Sequence, residues 1–200
     1  VTTNILYISS STRGAESVTD LLAEEVLGQL VGHDTVVVRR TLAREIPLLS
    51  AAVTAELTTP AAERSEATVV DLATADALID ELTHADVVVI GVPIYNFGVP
   101  ASLKAWADLV ARAGTTFAYG ESGPVGLLDD RPTYLVAASG GTEIGGDIDY
   151  GTRWLRHFLG FIGLRDITVV AANQLAIDAD SGLSSARAQI ADIGPVDQAA

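Results

Sequence analysis

Two hydrophobic rhythms share this chain. Val87-Val88-Val89-Ile90 is an apolar, β-branched run with no polar break, which predicts a strand buried on both faces. Gly91 ends the run, and Pro93 forbids a regular ladder beyond it. After the loop Pro93–Gly98 the period lengthens. Leu103, Trp106, Leu109, Val110 and Ala113 recur at spacings of three and four, while Lys104, Asp108 and Arg112 stack on the opposite, wet face. Pro100 stands where a first helical turn tolerates a missing N–H. The stretch reads as strand, exposed aromatic loop and amphipathic helix.

The same alternation recurs along the chain. Thr3–Ser9, Val36–Arg39, Thr133–Ala138 and Ile167–Ala172 read as further strands. Helical spacing links Leu21, Leu22, Val26, Leu27 and Leu30, with Gly32 as the stop, and recurs over Thr68–Leu82, Gly151–Ile162 and Ser181–Ile193. Thr41–Ser65, which contains Pro47 and Pro60, reads as a long irregular segment, and Phe117–Leu128 as a glycine-rich one. Five strands alternating with five helices predict an α/β fold over residues 1–200 as a single domain. Its core is a doubly wound, five-stranded parallel sheet between two helical layers.

Composition narrows the partners. The formal charge is −14 with a single lysine, which argues against a nucleic-acid surface or an anionic membrane. No apolar run is long enough to span a bilayer, and no basic-then-apolar leader opens the chain. There is no cysteine, so disulfide and thiol chemistry are excluded. A soluble, cytoplasmic protein is the expectation. An anionic ligand would have to be held by backbone N–H groups and hydroxyls against an unfavourable overall field.

In doubly wound sheets, ligands bind outside the carboxyl ends of the strands where the strand order reverses. Three such ends carry small or polar residues: Ser9–Thr19, Pro93–Phe97 and Ser139–Thr142. If the first, third and fourth strands are neighbours, these loops line one crevice. Ser9–Thr19 lacks both the dinucleotide fingerprint and the nucleoside-triphosphate loop. It offers the hydroxyls of Ser11, Ser17 and Thr19 at a helix start, which suits either one phosphate or a plain N-cap turn. Tyr95-Asn96-Phe97 suits a flat heteroaromatic ring or an apolar plug, and Ser139-Gly140-Gly141 a close ligand approach or a flexible turn. No nucleophile elbow is present, and His33, His84 and His157 all lie outside these loops. No His, Cys and carboxylate cluster has metal-ligand spacing, so no metal is expected. Asp129-Asp130 reads as a turn.

The segment Pro93-Ile94-Tyr95-Asn96-Phe97-Gly98-Val99-Pro100-Ala101-Ser102-Leu103-Lys104 closely resembles the FMN-dependent NADH azoreductases. That family is also described as NAD(P)H:quinone oxidoreductases of flavodoxin-like fold. Arg112–Phe117, Gly123-Pro124-Val125-Gly126-Leu127 and Phe158-Leu159-Gly160-Phe161-Ile162-Gly163 carry the same resemblance, which runs from the first strand to about Val170. It implies a homodimer with FMN at the subunit interface, and ping-pong hydride transfer from NADH or NADPH to quinones and aromatic azo compounds. By position, Ser11, Ser17, Val18 and Thr19 would hold the FMN phosphate. Pro93, Ile94, Tyr95, Asn96 and Phe97 would run along the ring and ribityl chain, and Ser139, Gly140 and Gly141 would meet the pyrimidine edge. Asn96, Tyr119 and Phe161 would serve catalysis, Asn96 by positioning the ring and the two aromatics by walling the planar acceptor, partly from the partner subunit.

The chain departs from that pattern in two places. Ala138-Ser139 replaces the frequent Ser-Arg pair before Gly140-Gly141, and Arg13 and Glu16 are unusual in the phosphate loop. These bear on substrate choice more than on FMN binding. Two other readings stand beside the reductase. One is a family member specialised for a single unsaturated metabolite, which the altered Ala138-Ser139 pair would suit. The other is an acidic electron carrier, which the long Thr41–Ser65 segment and the Phe158–Gly163 motif do not suit.

Overall fold

The computed structural model describes residues 2–43, 46–57 and 66–195. Five strands form one parallel sheet: β1 (Thr3–Ser9), β2 (Thr35–Thr41), β3 (Val87–Pro93), β6 (Thr133–Ala138) and β7 (Ile167–Ala172). Their spatial order is β2-β1-β3-β6-β7, so the order reverses between β1 and β3. This is the flavodoxin-like arrangement that the resemblance implies.

The apolar runs form this sheet because both of its faces are covered. Every residue of β3 is buried. Val88, Ile90 and Val92 face α3 (Glu66–His84), α4 (Ala101–Val110) and α5 (Tyr150–Ile162), packing among Leu78, Leu82, Leu103, Trp106, Leu155 and Leu159. Val87 and Val89 face the other way, towards α1 (Val18–Leu30) and α6 (Ala179–Ala191), among Leu22, Val26, Leu27 and Ile190. Period-two alternation within one apolar strand thus feeds two separate cores.

The structure corrects the sequence reading in several places. Arg112 is not on a wet helical face. It is 7% exposed and its guanidinium pairs with Asp76 of α3. The cause is an earlier helix end: α4 stops at Val110, so Ala113 is not helical either. The Thr116 hydroxyl donates to the Val110 carbonyl (2.6 Å) and accepts the Arg112 N–H (2.9 Å), closing the helix from beyond its end. Within Thr41–Ser65, residues 51–57 form a helix, α2 (Ala51–Leu57). Pro60, which the sequence reading counted in that segment, lies outside the described residues.

The glycine-rich stretch 117–128 holds two further strands, β4 (Phe117–Gly120) and β5 (Gly123–Gly126), in an antiparallel hairpin separate from the main sheet. Gly126 marks a close crossing with the end of α5. A Cβ on Gly126 would stand 2.3 Å from the Gly163 nitrogen, and one on Gly163 would stand 2.2 Å from the Leu128 carbonyl oxygen. The two motifs read separately in the sequence are the two sides of this one contact.

Candidate active site

A cavity of about 360 Å³ opens at the carboxyl ends of β1, β3 and β6, within the range of small-ligand sites. Each of the three loops contributes to its lining.

On the β1 side, Ser11, Ser17 and Thr19 line the cavity and are almost fully buried. The Ser17 hydroxyl is both the N-cap of α1 and a cavity-lining group. It caps α1 by accepting the Asp20 N–H (3.1 Å), and it sits 3.1 Å from the Thr19 hydroxyl on the cavity wall. Behind this cradle lies a network that the sequence reading missed. Asp20 Oδ1 accepts hydrogen bonds from Tyr7 Oη (2.6 Å) and Ser9 Oγ (2.8 Å). Burial, followed by the bond and charge of Asp20, pushes the Tyr7 phenol far above its ordinary pKa, so it stays a donor. The only advance signal was an acidic residue in the first turn of a helix, where the dipole favours one.

On the β3 side, Pro93, Ile94 and Tyr95 line the cavity. The chain then reverses tightly: Tyr95 N–H donates to the Gly98 carbonyl (2.9 Å) and Gly98 N–H to that of Tyr95 (3.1 Å). The two residues between, Asn96 and Phe97, both have positive φ, 50° and 69°. This is the geometry of a type I′ turn, which Asn suits and Phe does not. Both are exposed and neither lines the cavity within one chain. The loop is seated from below by Tyr150 N–H on the Phe97 carbonyl (3.1 Å) and by Gly151, whose absent side chain leaves room for Ile94 and Gly98.

Tyr95 crosses the mouth of the cavity to the first loop. Its Oη accepts the Thr12 N–H (3.4 Å) and lies 3.3 Å from the Thr12 hydroxyl. Burial pulls this phenol up, but bonds from Thr12 and Ser11 and the nearby Arg13 charge outweigh it, leaving the net pKa below its ordinary value.

On the β6 side, Ala138, Ser139 and Gly140 line the cavity, whereas Gly141 does not. The Ser139 hydroxyl is turned into its own loop, accepting the Thr142 N–H at 2.7 Å. The Ser139 and Gly140 carbonyls accept the N–H groups of Leu175 and Ala176 (both 2.9 Å). That pairing brings the segment after β7 into the wall, with Leu175, Ala176, Ala179 and Leu183 as lining residues. The sequence reading had no signal for them, because their role depends on β6 and β7 being neighbours.

Tyr119 and Phe161 lie away from this cavity within one chain. They belong to a string of rings along α5 and the hairpin: Tyr119, Phe117, Phe161, Phe158 and Trp154, with successive centroids 5.4, 4.5, 6.4 and 5.7 Å apart.

Small hydroxyls, exposed backbone and apolar walls at a strand-order reversal, without a dinucleotide fingerprint, define a mononucleotide-binding α/β protein. The residues present suit a phosphate at one end and a flat ring along the other. The chain belongs to the family described as having a flavodoxin-like fold, matched over residues 3–193. It is 46% identical over 188 residues to FMN-dependent NADH:quinone oxidoreductase 1 of Jannaschia sp. strain CCS1, covering 94% of this chain and 97% of that one. It is 48% identical over 168 residues to the FMN-dependent NADH:quinone oxidoreductase of Erythrobacter litoralis, covering 84% and 85%. Among solved structures, the azoreductase of Bacillus anthracis superposes with a TM-score of 0.84 at 26% identity, covering 95% of this chain and 96% of that one.

Proposed function

We propose that this chain is an FMN-dependent oxidoreductase that uses NADH to reduce quinones and aromatic azo compounds. The observation that carries the reading is the cavity that joins the Ser11, Ser17 and Thr19 cradle to the walls formed by Pro93, Ile94 and Tyr95 and by Ala138–Gly140. The chain's similarity along nearly its whole length to relatives named for this activity supports it. When bound, FMN would supply the hydride-transfer chemistry between NADH and the acceptor.

The protein's part is to hold and shield. Ser11, Ser17, Thr19 and the Val18 backbone would hold the phosphate at the start of α1, where N–H groups and the helix dipole favour an anion. Pro93–Phe97 would line the ring and ribityl chain, and the Asn96 amide would position the ring. Ser139, Gly140 and Gly141 would meet the polar ring edge, Ser139 and Gly140 as the two of the three that line the cavity within one chain. A water-excluding wall over the reacting face would come from Tyr119 and Phe161 across a homodimer interface.

That dimer is supported by an exposed apolar surface. Phe97 is 52%, Tyr119 79% and Tyr150 61% exposed, and the ring string runs from Tyr119 to Trp154 on α5, the helix that Tyr150 opens. Such a patch on a single chain marks an interaction surface. NADH dependence suits a cytoplasmic enzyme, and among the described residues no helix is long and apolar enough to cross a membrane.

The deciding assay is NADH oxidation by the purified protein with FMN, with and without benzoquinone or methyl red. Acceptor-dependent turnover is the expected result. Tight FMN binding with no turnover towards either acceptor would overturn the reductase reading in favour of an electron carrier or a family member specialised for a single unsaturated metabolite.

A further inference from the structure

We propose that Arg13 reads the charge of the bound nucleotide, so that the cavity prefers a flavin carrying a terminal phosphate to the same flavin without one. The inference rests on the FMN reading above and assigns its selectivity to one residue of this chain.

Arg13 is the one charged side chain among the described residues lining the cavity, and it shares that lining with the hydroxyls of Ser11, Ser17 and Thr19. Arg39, Arg40, Arg112 and Arg187 each pair with a carboxylate, whereas Arg13 has no ion pair among the described residues. In a chain with 26 acidic and 12 basic residues, a guanidinium left free beside a hydroxyl cradle is available to an incoming anion.

The loop geometry fixes the Arg13 backbone beside the cradle and leaves the side chain exposed. Arg13 has helical backbone angles and its N–H donates to the Ser11 hydroxyl (3.2 Å). Gly14 then turns through φ 56°, a conformation glycine adopts freely, and one 3₁₀ turn over Gly14–Glu16 returns the chain to Ser17. Arg13 and Tyr95 line the same cavity, on the β1 and β3 sides.

Neither neighbouring acid forms an ion pair with it among the described residues. Asp20 spends its Oδ1 on Tyr7 and Ser9 on the sheet side, and Glu16 is exposed. A phosphate monoester carries close to two negative charges at neutral pH. Bringing it into a protein of charge −14 on neutral hydroxyls alone is unfavourable, and a planar, always-charged guanidinium offsets that with directed hydrogen bonds.

The test titrates flavin-free protein with FMN and with riboflavin, followed by flavin fluorescence, for wild type, R13Q and R13K. R13Q is expected to weaken FMN binding about tenfold or more, the worth of one charge-assisted hydrogen bond, with riboflavin unchanged. R13K should restore part of the FMN affinity, and added salt should weaken FMN binding more in wild type than in R13Q. An FMN-to-riboflavin ratio unchanged in R13Q overturns the role of Arg13 and leaves the site reading intact. Equal loss for both flavins also overturns it, since that marks a distorted loop. If wild type binds neither flavin, the reading of the site itself falls, and this inference with it.

Discussion

Phe97 holds a backbone conformation that its side chain opposes. At φ 69° it occupies the second central position of a type I′ turn, where glycine is the favoured residue. A non-glycine residue there stores on the order of 1 kcal/mol of strain or more. Its ring is half exposed, so little burial compensates for it. The turn itself, with Tyr95 and Gly98 exchanging hydrogen bonds, is what keeps the residue in place. Phe97→Gly should therefore leave stability within about 1 kcal/mol of wild type, strain relief offsetting the entropy of glycine. Acceptor turnover should fall. Urea midpoints and steady-state rates check both halves, and a stability loss beyond about 2 kcal/mol would show that the ring is a packing element instead.

Single residues also tie whole elements together, and Asp130 is the clearest case. Its Oδ1 accepts the backbone N–H groups of Arg131 (3.0 Å), Arg165 (2.7 Å) and Asp166 (3.0 Å), joining the approaches to β6 and β7. The bonds from Asp166 and Arg165 hold its carboxyl below the ordinary pKa despite a small opposing effect of burial. A depressed folded pKa gives stability that is present above the unfolded value and lost as pH falls through the folded one. Asp130→Asn should thus be less stable than wild type at pH 7, and the gap should shrink below about pH 4. Urea midpoints measured across that range decide it, because a gap independent of pH would mean that charge plays no part. At this scale the sequence is readable where local pattern dictates the outcome. The apolar runs of β1, β3, β6 and β7 are strands because both faces are covered. The hairpin β4–β5 was hidden because its four-residue strands are glycine-rich and shaped by the crossing of Gly126 with Gly163, which no local rhythm announces. The end of α4 was hidden because Thr116 acts on it from outside the helix.

Across the whole molecule, the loops at β1, β3 and β6 were readable as one crevice once the strand order was granted. Leu175, Ala176 and Leu183 were not, since they enter the wall only through bonds from the segment after β7 to the β6 loop. Tyr119 and Phe161 were named only through the resemblance, and within one chain they stand outside the cavity. Their distance makes the assembly testable. Two chains of charge −14 repel one another, so a homodimer must be held by apolar contact and should persist in added salt. Sedimentation velocity should show a dimer for wild type and a concentration-dependent shift towards monomer for Tyr150→Glu. The variant should keep FMN binding while losing turnover, and a wild-type protein that stays monomeric at micromolar concentration would remove the shared site.

The hairpin that carries Tyr119 belongs to neither edge of the parallel sheet. It is clamped to α5 at its base, through Gly126 and Gly163, and its tip at Glu121-Ser122 is free of that crossing. Evolution can therefore lengthen, shorten or rewrite the tip without touching strand register or either core. Under the proposed function, the parallel sheet would keep the cofactor seat constant, and the hairpin would be the exchangeable part with which descendants of this scaffold explore new acceptors.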